Sequence, residues 1–145
     1  MVKKRNVSQE QARKILWHNG VLRWKCHEVQ QKIYDRFYSS DEHITTMLIS
    51  RQTGKSFLMC LLAVETCLRN PNVIVKYACP KQKMVKTILK PIMRTILEDC
   101  PEELMPEYKE ADKLYVFKNG SEIQMAGCDN QNYDNIRGGR SHLWI

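Results

Sequence analysis

No two of the six cysteines, at 26, 60, 67, 79, 100 and 128, form a C-x-x-C pair. Such pairs are the usual framework of a zinc module, so that class is excluded. No apolar run approaches the roughly 18 residues of a membrane span. The chain opens Met1-Val2-Lys3-Lys4-Arg5, without the apolar core of a secretory leader. We therefore expect a chain that is neither secreted nor membrane-spanning. Its cysteines are expected to be reduced, as in a cytoplasmic compartment. Cys60 and Cys67 fall within a helical apolar pattern and read as buried thiols.

What remains is a basic chain of 145 residues, long enough for one domain with a real core. Its charge of +7 is uneven: residues 98–112 hold seven acids and one base, so that stretch carries −6 and the rest +13. A body this basic suits a polyanion such as nucleic acid.

A further absence lies in the stretch that organises the chain, Ile49-Ser50-Arg51-Gln52-Thr53-Gly54-Lys55-Ser56. The phosphate-loop template G-x-x-x-x-G-K-[ST] asks for glycine where Ile49 stands. Everything around that position fits. An apolar run, Ile44 to Ile49, reads as a strand, and Phe57 to Leu68 reads as a helix, with Leu58, Leu61, Leu62 and Leu68 buried. Backbone N–H groups at such a helix start, with the helix dipole, form an anion site. Gly54 lets the backbone approach a phosphate. Lys55 is placed to reach the β- and γ-phosphates of a nucleotide, and the Ser56 hydroxyl to hold Mg²⁺.

Before the loop, residues 1–7 are basic and expected to fray. Ser8-Gln9-Glu10-Gln11 is a capping box for a short helix with Ala12, Ile15 and Leu16 inward, ended by Gly20. Trp17 and Trp24 read as core or brace. A second helix covers Glu28 to Phe37, with Val29, Ile33 and Phe37 as its buried face. Gln30, near its start, could read adenine with one donor and one acceptor.

After the loop, Asn70-Pro71-Asn72 turns the chain into a second parallel strand, Val73 to Cys79. Lys81 to Leu97 reads as a helix with Val85, Ile88, Leu89, Ile92 and Ile96 inward. Lys83, Lys86, Lys90 and Arg94 share its other face, a row able to track a phosphate backbone. Pro91 should kink or split that helix. The acidic stretch, with Pro101 and Pro106, reads as loop plus a helical turn. Leu114–Phe117 and Ser121–Ala126, joined at Asn119-Gly120, form a hairpin. A polar loop, 127–134, with Asp129 and Asp134 as turn residues, leads to Arg137-Gly138-Gly139-Arg140 and the run Leu143-Trp144-Ile145.

Laid out in this order, the chain resembles the ATPase domain of the large terminase subunit of tailed bacteriophages. His27-x-x-Gln30 looks like the family's adenine motif. Ser50 to Ser56 looks like its deviant Walker A loop, which also lacks the leading glycine and carries an arginine. The Asn119-Gly120-Ser121 hairpin and Arg137-Gly138 fall in matching order. The resemblance implies an α/β fold: a P-loop NTPase-type parallel sheet flanked by helices, with a β-hairpin. It is expected to be incomplete, ending at the Walker B strand, which Leu143-Trp144-Ile145 would form without its acids. Residues 1–20 are then an N-terminal helical extension, and 21–145 the N-terminal part of the ATPase domain, a piece of a larger protein.

The implied activity is ATP hydrolysis coupled to DNA packaging, with the piece alone inactive and binding nucleotide weakly. ATP and Mg²⁺ are the implied cofactors. Gln30, Ser50, Arg51, Gln52, Thr53, Gly54, Lys55 and Ser56 would bind nucleotide, with Ser56 on the metal. Lys55, Arg51 in cis and Arg137 in trans would be catalytic, with Arg140 the alternative to Arg137. Partners would be double-stranded DNA, the portal protein, the small terminase subunit and further copies in a ring, in the host cytoplasm at the procapsid portal, with no membrane. Two other readings remain open from sequence: a superfamily 2 helicase-type translocase, with Pro80-Lys81-Gln82 touching DNA, and a basic DNA-binding fragment without activity.

Overall fold

The computed structural model describes residues 8–129 and 134–145. The basic residues 1–7 and the middle of the 127–134 loop lie outside that range.

Helix α1 (Gln9–His18) starts at the expected capping box: Ser8 Oγ accepts from Gln11 N, and Gln11 Oε1 accepts from Ser8 N. Trp17 is buried and Ala12 and Leu16 half-buried, whereas Ile15, expected inward, is exposed. Arg13 and Lys25 lie against the Trp24 ring, and Lys25 also faces Trp17. The two tryptophans are thus a core residue and a brace.

Helix α2 (Glu28–Ser39) buries Gln30 and Tyr34, one turn apart, rather than the expected Val29 stripe; Val29 is exposed and Ile33 and Phe37 are half-buried. The face is turned because the loop carbonyl of Gly54 draws Gln30 inward, and Glu65 and Arg69 on α3 (Lys55–Arg69) draw Tyr34. Helix α3 buries residues almost all round, as a central helix does: Leu58, Cys60, Leu61, Leu62, Ala63, Val64, Glu65 and Cys67.

The expected strand over Ile44–Ile49 is not there. The segment has no ladder partner among the described residues, and Ile44 and Leu48 are 84% and 99% exposed. Apolar composition alone does not make a strand; unpaired backbone groups need a neighbour. The strands that do form are β1 (Ile74–Cys79), β2 (Glu107–Lys109), β3 (Leu114–Val116), β4 (Glu122–Gly127) and β5 (Leu143–Trp144). They make one sheet in the order β2-β3-β4-β1-β5.

That sheet is mixed, not wholly parallel. β4, β1 and β5 run parallel, with Lys76 opposite both Gln124 and Trp144, while β2, β3 and β4 form an antiparallel meander. The hairpin turns where expected, at Asn119-Gly120, with Phe117 N–H donating to Ser121 O at 2.8 Å. Its second strand continues inward as a central strand. The acidic stretch contributes β2, which composition concealed, because its acids meet bases from other elements. Glu103 meets Lys14 and His18, Asp99 meets Lys25, and Glu110 meets Lys90.

The Lys81–Leu97 helix comes in pieces: α4 (Gln82–Met84), a wide π turn (Val85–Leu89) and α5 (Lys90–Leu97). The wide turn sits just before Pro91 and gives room for a ring that would otherwise strike the preceding turn. It also shifts the phase, so Met93 is buried and Ile88, expected inward, is exposed. At the start of this segment Gln82 N–H donates to Asp129 Oδ1 at 2.7 Å, so Asp129 serves as a cap. Gly127 packs so close that an added Cβ would lie 2.0 Å from Gln82 N. Among the described residues no helix is long and apolar enough to cross a membrane, and all six cysteines are free thiols.

Candidate nucleotide site

The N-terminus of α3 is built by the loop Ile49–Gly54. Gly54 caps the helix with φ +71°, a left-handed conformation that glycine adopts without strain. A Cβ there would also lie 2.5 Å from Gln30 Nε2. Gln52 shares the positive φ, at +64°. Thr53 Oγ1 donates to Ser50 O at 2.9 Å. Lys55 folds back over the loop, and its ammonium donates to Ile49 O and Ser50 O, both at 2.7 Å. A cation is thereby held above a helix N-terminus, an arrangement suited to an anion that can draw Lys55 off these carbonyls.

The start of α2 clamps this loop. Gln30 Nε2 donates to Gly54 O at 2.9 Å, and its Oε1 accepts from His27 N at 3.0 Å. His27 Nδ1 accepts from Gln30 N and caps the helix. Its Nε2 lies 3.2 Å from Thr53 O, so the partners assign the proton to Nε2. Both polar ends of the Gln30 amide are thus engaged within the chain, and the residue is 4% exposed. Its role here is to latch the loop. Gln30→Ala is expected to cost about 1–2 kcal/mol, one to two hydrogen bonds, and to speed amide exchange at residues 54–58. Unchanged exchange there, followed by mass spectrometry, would remove the latch.

Ser56 is half-buried, near Tyr77 on β1. Burial, above all, pushes the Tyr77 phenol up, so it stays neutral. Among the described residues no three metal-binding side chains converge. Arg51 is exposed in the loop, and Arg137 and Arg140 are exposed in the segment before β5. Lys83, Lys86 and Arg94 are exposed as a row, but Lys90 leaves it to pair with Glu110.

Two buried charges went unnoticed in the sequence. Glu65 on α3 is 0% exposed. It accepts from the Tyr38 hydroxyl at 2.6 Å, the Tyr34 hydroxyl at 3.0 Å, Leu22 N–H and, at 3.5 Å, Arg69. Desolvation pushes its carboxyl above the usual range, and these donors oppose that. Lys76 on β1 is 1% exposed. Its ammonium donates to Gly138 O, with Gly139 O at 3.5 Å, and lies under the Trp144 ring. It ties the Arg137–Arg140 turn to the sheet centre. The available signal was a lone charge inside each apolar run, Phe57–Leu68 and Val73–Cys79.

Fold and loop define a mixed α/β protein with a lysine-bearing loop at the start of its central helix. The family described as "Terminase large subunit, T4likevirus-type, N-terminal" matches residues 46–145, over two thirds of the chain. The chain belongs to that terminase large-subunit family. No curated protein and no solved structure matches it.

Proposed function

We propose that the chain is the nucleotide-binding part of a phage terminase large subunit, the ATP-driven motor that moves viral DNA into the procapsid. The observation that carries this reading is the loop at the start of α3, with left-handed Gly54 and Lys55 closed over the carbonyls of Ile49 and Ser50, inside the span matched by the family. On this reading the loop is a Walker A loop and the sheet that of a P-loop NTPase.

ATP phosphates take the place of the carbonyls that Lys55 now contacts. Backbone N–H groups of Gly54, Lys55 and Ser56 face the phosphate oxygens, and the Ser56 hydroxyl turns to Mg²⁺. Arg51, exposed in the loop, is placed for the γ-phosphate of its own site. Arg137 or Arg140 would serve a neighbouring subunit's site in a ring. Double-stranded DNA, the portal protein and the small terminase subunit are the partners, in the host cytoplasm.

The test is titration of the chain with a fluorescent ATP analogue, with and without Mg²⁺. Saturable, Mg²⁺-dependent binding displaced by ATP is expected. No saturable binding up to ~1 mM, where binding free energy is only about −4 kcal/mol, would overturn the nucleotide assignment for this chain.

A further inference from the structure

Lys90 was expected to point to solvent with its row, yet it turns toward β2. Its ammonium pairs with the Glu110 carboxylate and lies 4.5 Å from the centroid of the Tyr108 ring. Tyr108 in turn packs on Tyr115, centroids 4.5 Å apart. Two more cations stand nearby: Lys86, one turn before Lys90, and Lys113, which has a positive φ of +51° and flanks the β2–β3 turn opposite Glu110, since Lys109 pairs with Leu114. The Lys90 contact first, then the fields of Lys90, Lys86 and Lys113, hold Glu110 below the usual carboxylate range. One acid thus sits among three lysines from two separate segments, over an aromatic floor. The Glu110 side chain is 63% exposed and that of Lys90 29%.

We propose that Lys86, Lys90 and Lys113 form a contact site for the phosphate backbone of double-stranded DNA, and that Glu110 is a built-in competitor which the DNA displaces. The inference rests on the DNA-packaging reading above and names the surface and its restraint. Tetrahedral phosphate and carboxylate offer the same anionic oxygens to an ammonium. An ion pair this exposed is weakly held, so a phosphate can replace the carboxylate. Each lysine that then engages a phosphate releases about one counterion from duplex DNA, a gain Glu110 cannot offer. Tyr108 holds the Lys90 stem in place in either state. Glu110 would therefore weaken binding to DNA in general, keeping contacts short-lived, as a protein that moves along its substrate requires.

Fluorescence anisotropy of a labelled mixed-sequence duplex at low salt tests this on the chain as it stands. Glu110→Gln is expected to tighten binding about three- to fivefold, the upper range of one exposed ion pair. Glu98→Gln removes the same charge from an exposed position on the segment that follows α5 and is expected to change affinity less than twofold. In a background with Lys86, Lys90 and Lys113 all changed to Gln, the gain from Glu110→Gln should fall to that of Glu98→Gln. Equal gains from Glu110→Gln and Glu98→Gln, or a gain that survives loss of all three lysines, would overturn the competitor role while leaving the DNA reading intact. Absence of any DNA binding, with nucleotide binding preserved, would overturn the surface itself and the DNA part of the reading for this chain.

Discussion

Glu65→Ala is expected to remove about 3–5 kcal/mol of stability, the usual cost of breaking a buried charge network by deleting one partner. The reason lies in what stays behind. The Tyr34 and Tyr38 hydroxyls and the Leu22 N–H lose their acceptor together, and Arg69 loses its carboxylate. A buried donor left unpaired costs about 1–3 kcal/mol. Against the 5–15 kcal/mol typical of a domain, this loss threatens folding. It also uncouples α2, which carries the Gln30 latch, from α3, which carries the loop lysine. Urea unfolding followed by circular dichroism measures the effect. A loss below about 1 kcal/mol would show that the network contributes little.

The same residue sets a pH dependence of stability. Burial raises the carboxyl of folded Glu65, so the folded state holds its proton to higher pH than the unfolded chain does. The contribution of this group to stability is full below the unfolded value of ~4.3. It declines as pH rises from there through the raised folded value, then stays level. Comparing wild type with Glu65→Gln across that window isolates this group. The difference should shift against wild type as pH rises.

Lys55→Ala should abolish nucleotide turnover in a protein carrying the whole large subunit, by about two to three orders of magnitude, the scale of one preorganised charge-stabilising donor. The fold should survive, because Lys55 is only half-buried and contacts just the loop carbonyls of Ile49 and Ser50. In this chain the expected readout is lost binding of the ATP analogue with an unchanged circular dichroism spectrum. Wild-type affinity in a folded Lys55→Ala variant would remove the loop from the nucleotide site.

Local chemistry made much of this legible. A capping box needs only Ser8 and Gln11, three residues apart, and it formed. Asn119-Gly120 needs only a turn that tolerates positive φ, and the hairpin formed around it. Pro91 had to disturb its helix, and a π turn stands before it. Gly54 before Lys55 and Ser56 placed the helix start within two residues of its expected position. Where a reading needed to know the neighbour, it failed. Ile44–Ile49 has a strand's composition but no paired strand beside it. Val29 and Ile15 have the right spacing but face water, because α2 and α1 turn on polar and aromatic anchors: Gln30 and Tyr34 in one, Trp17 in the other.

By itself, then, the sequence determined the elements whose signals lie within one turn of chain: the caps, the hairpin, the central helix and the glycine-capped loop at its start. Such signals depend on backbone conformation and short-range hydrogen bonds, which residue identity controls directly. The tertiary structure alone decided which charges are spent inside the molecule and which face outward. It buried Glu65 among two tyrosines, laid Lys76 under the glycine turn, and set Glu110 against Lys90. Those pairings join residues 20 to 62 positions apart, and the energy of a charge depends on solvent exclusion and partner distance, which only the folded arrangement supplies.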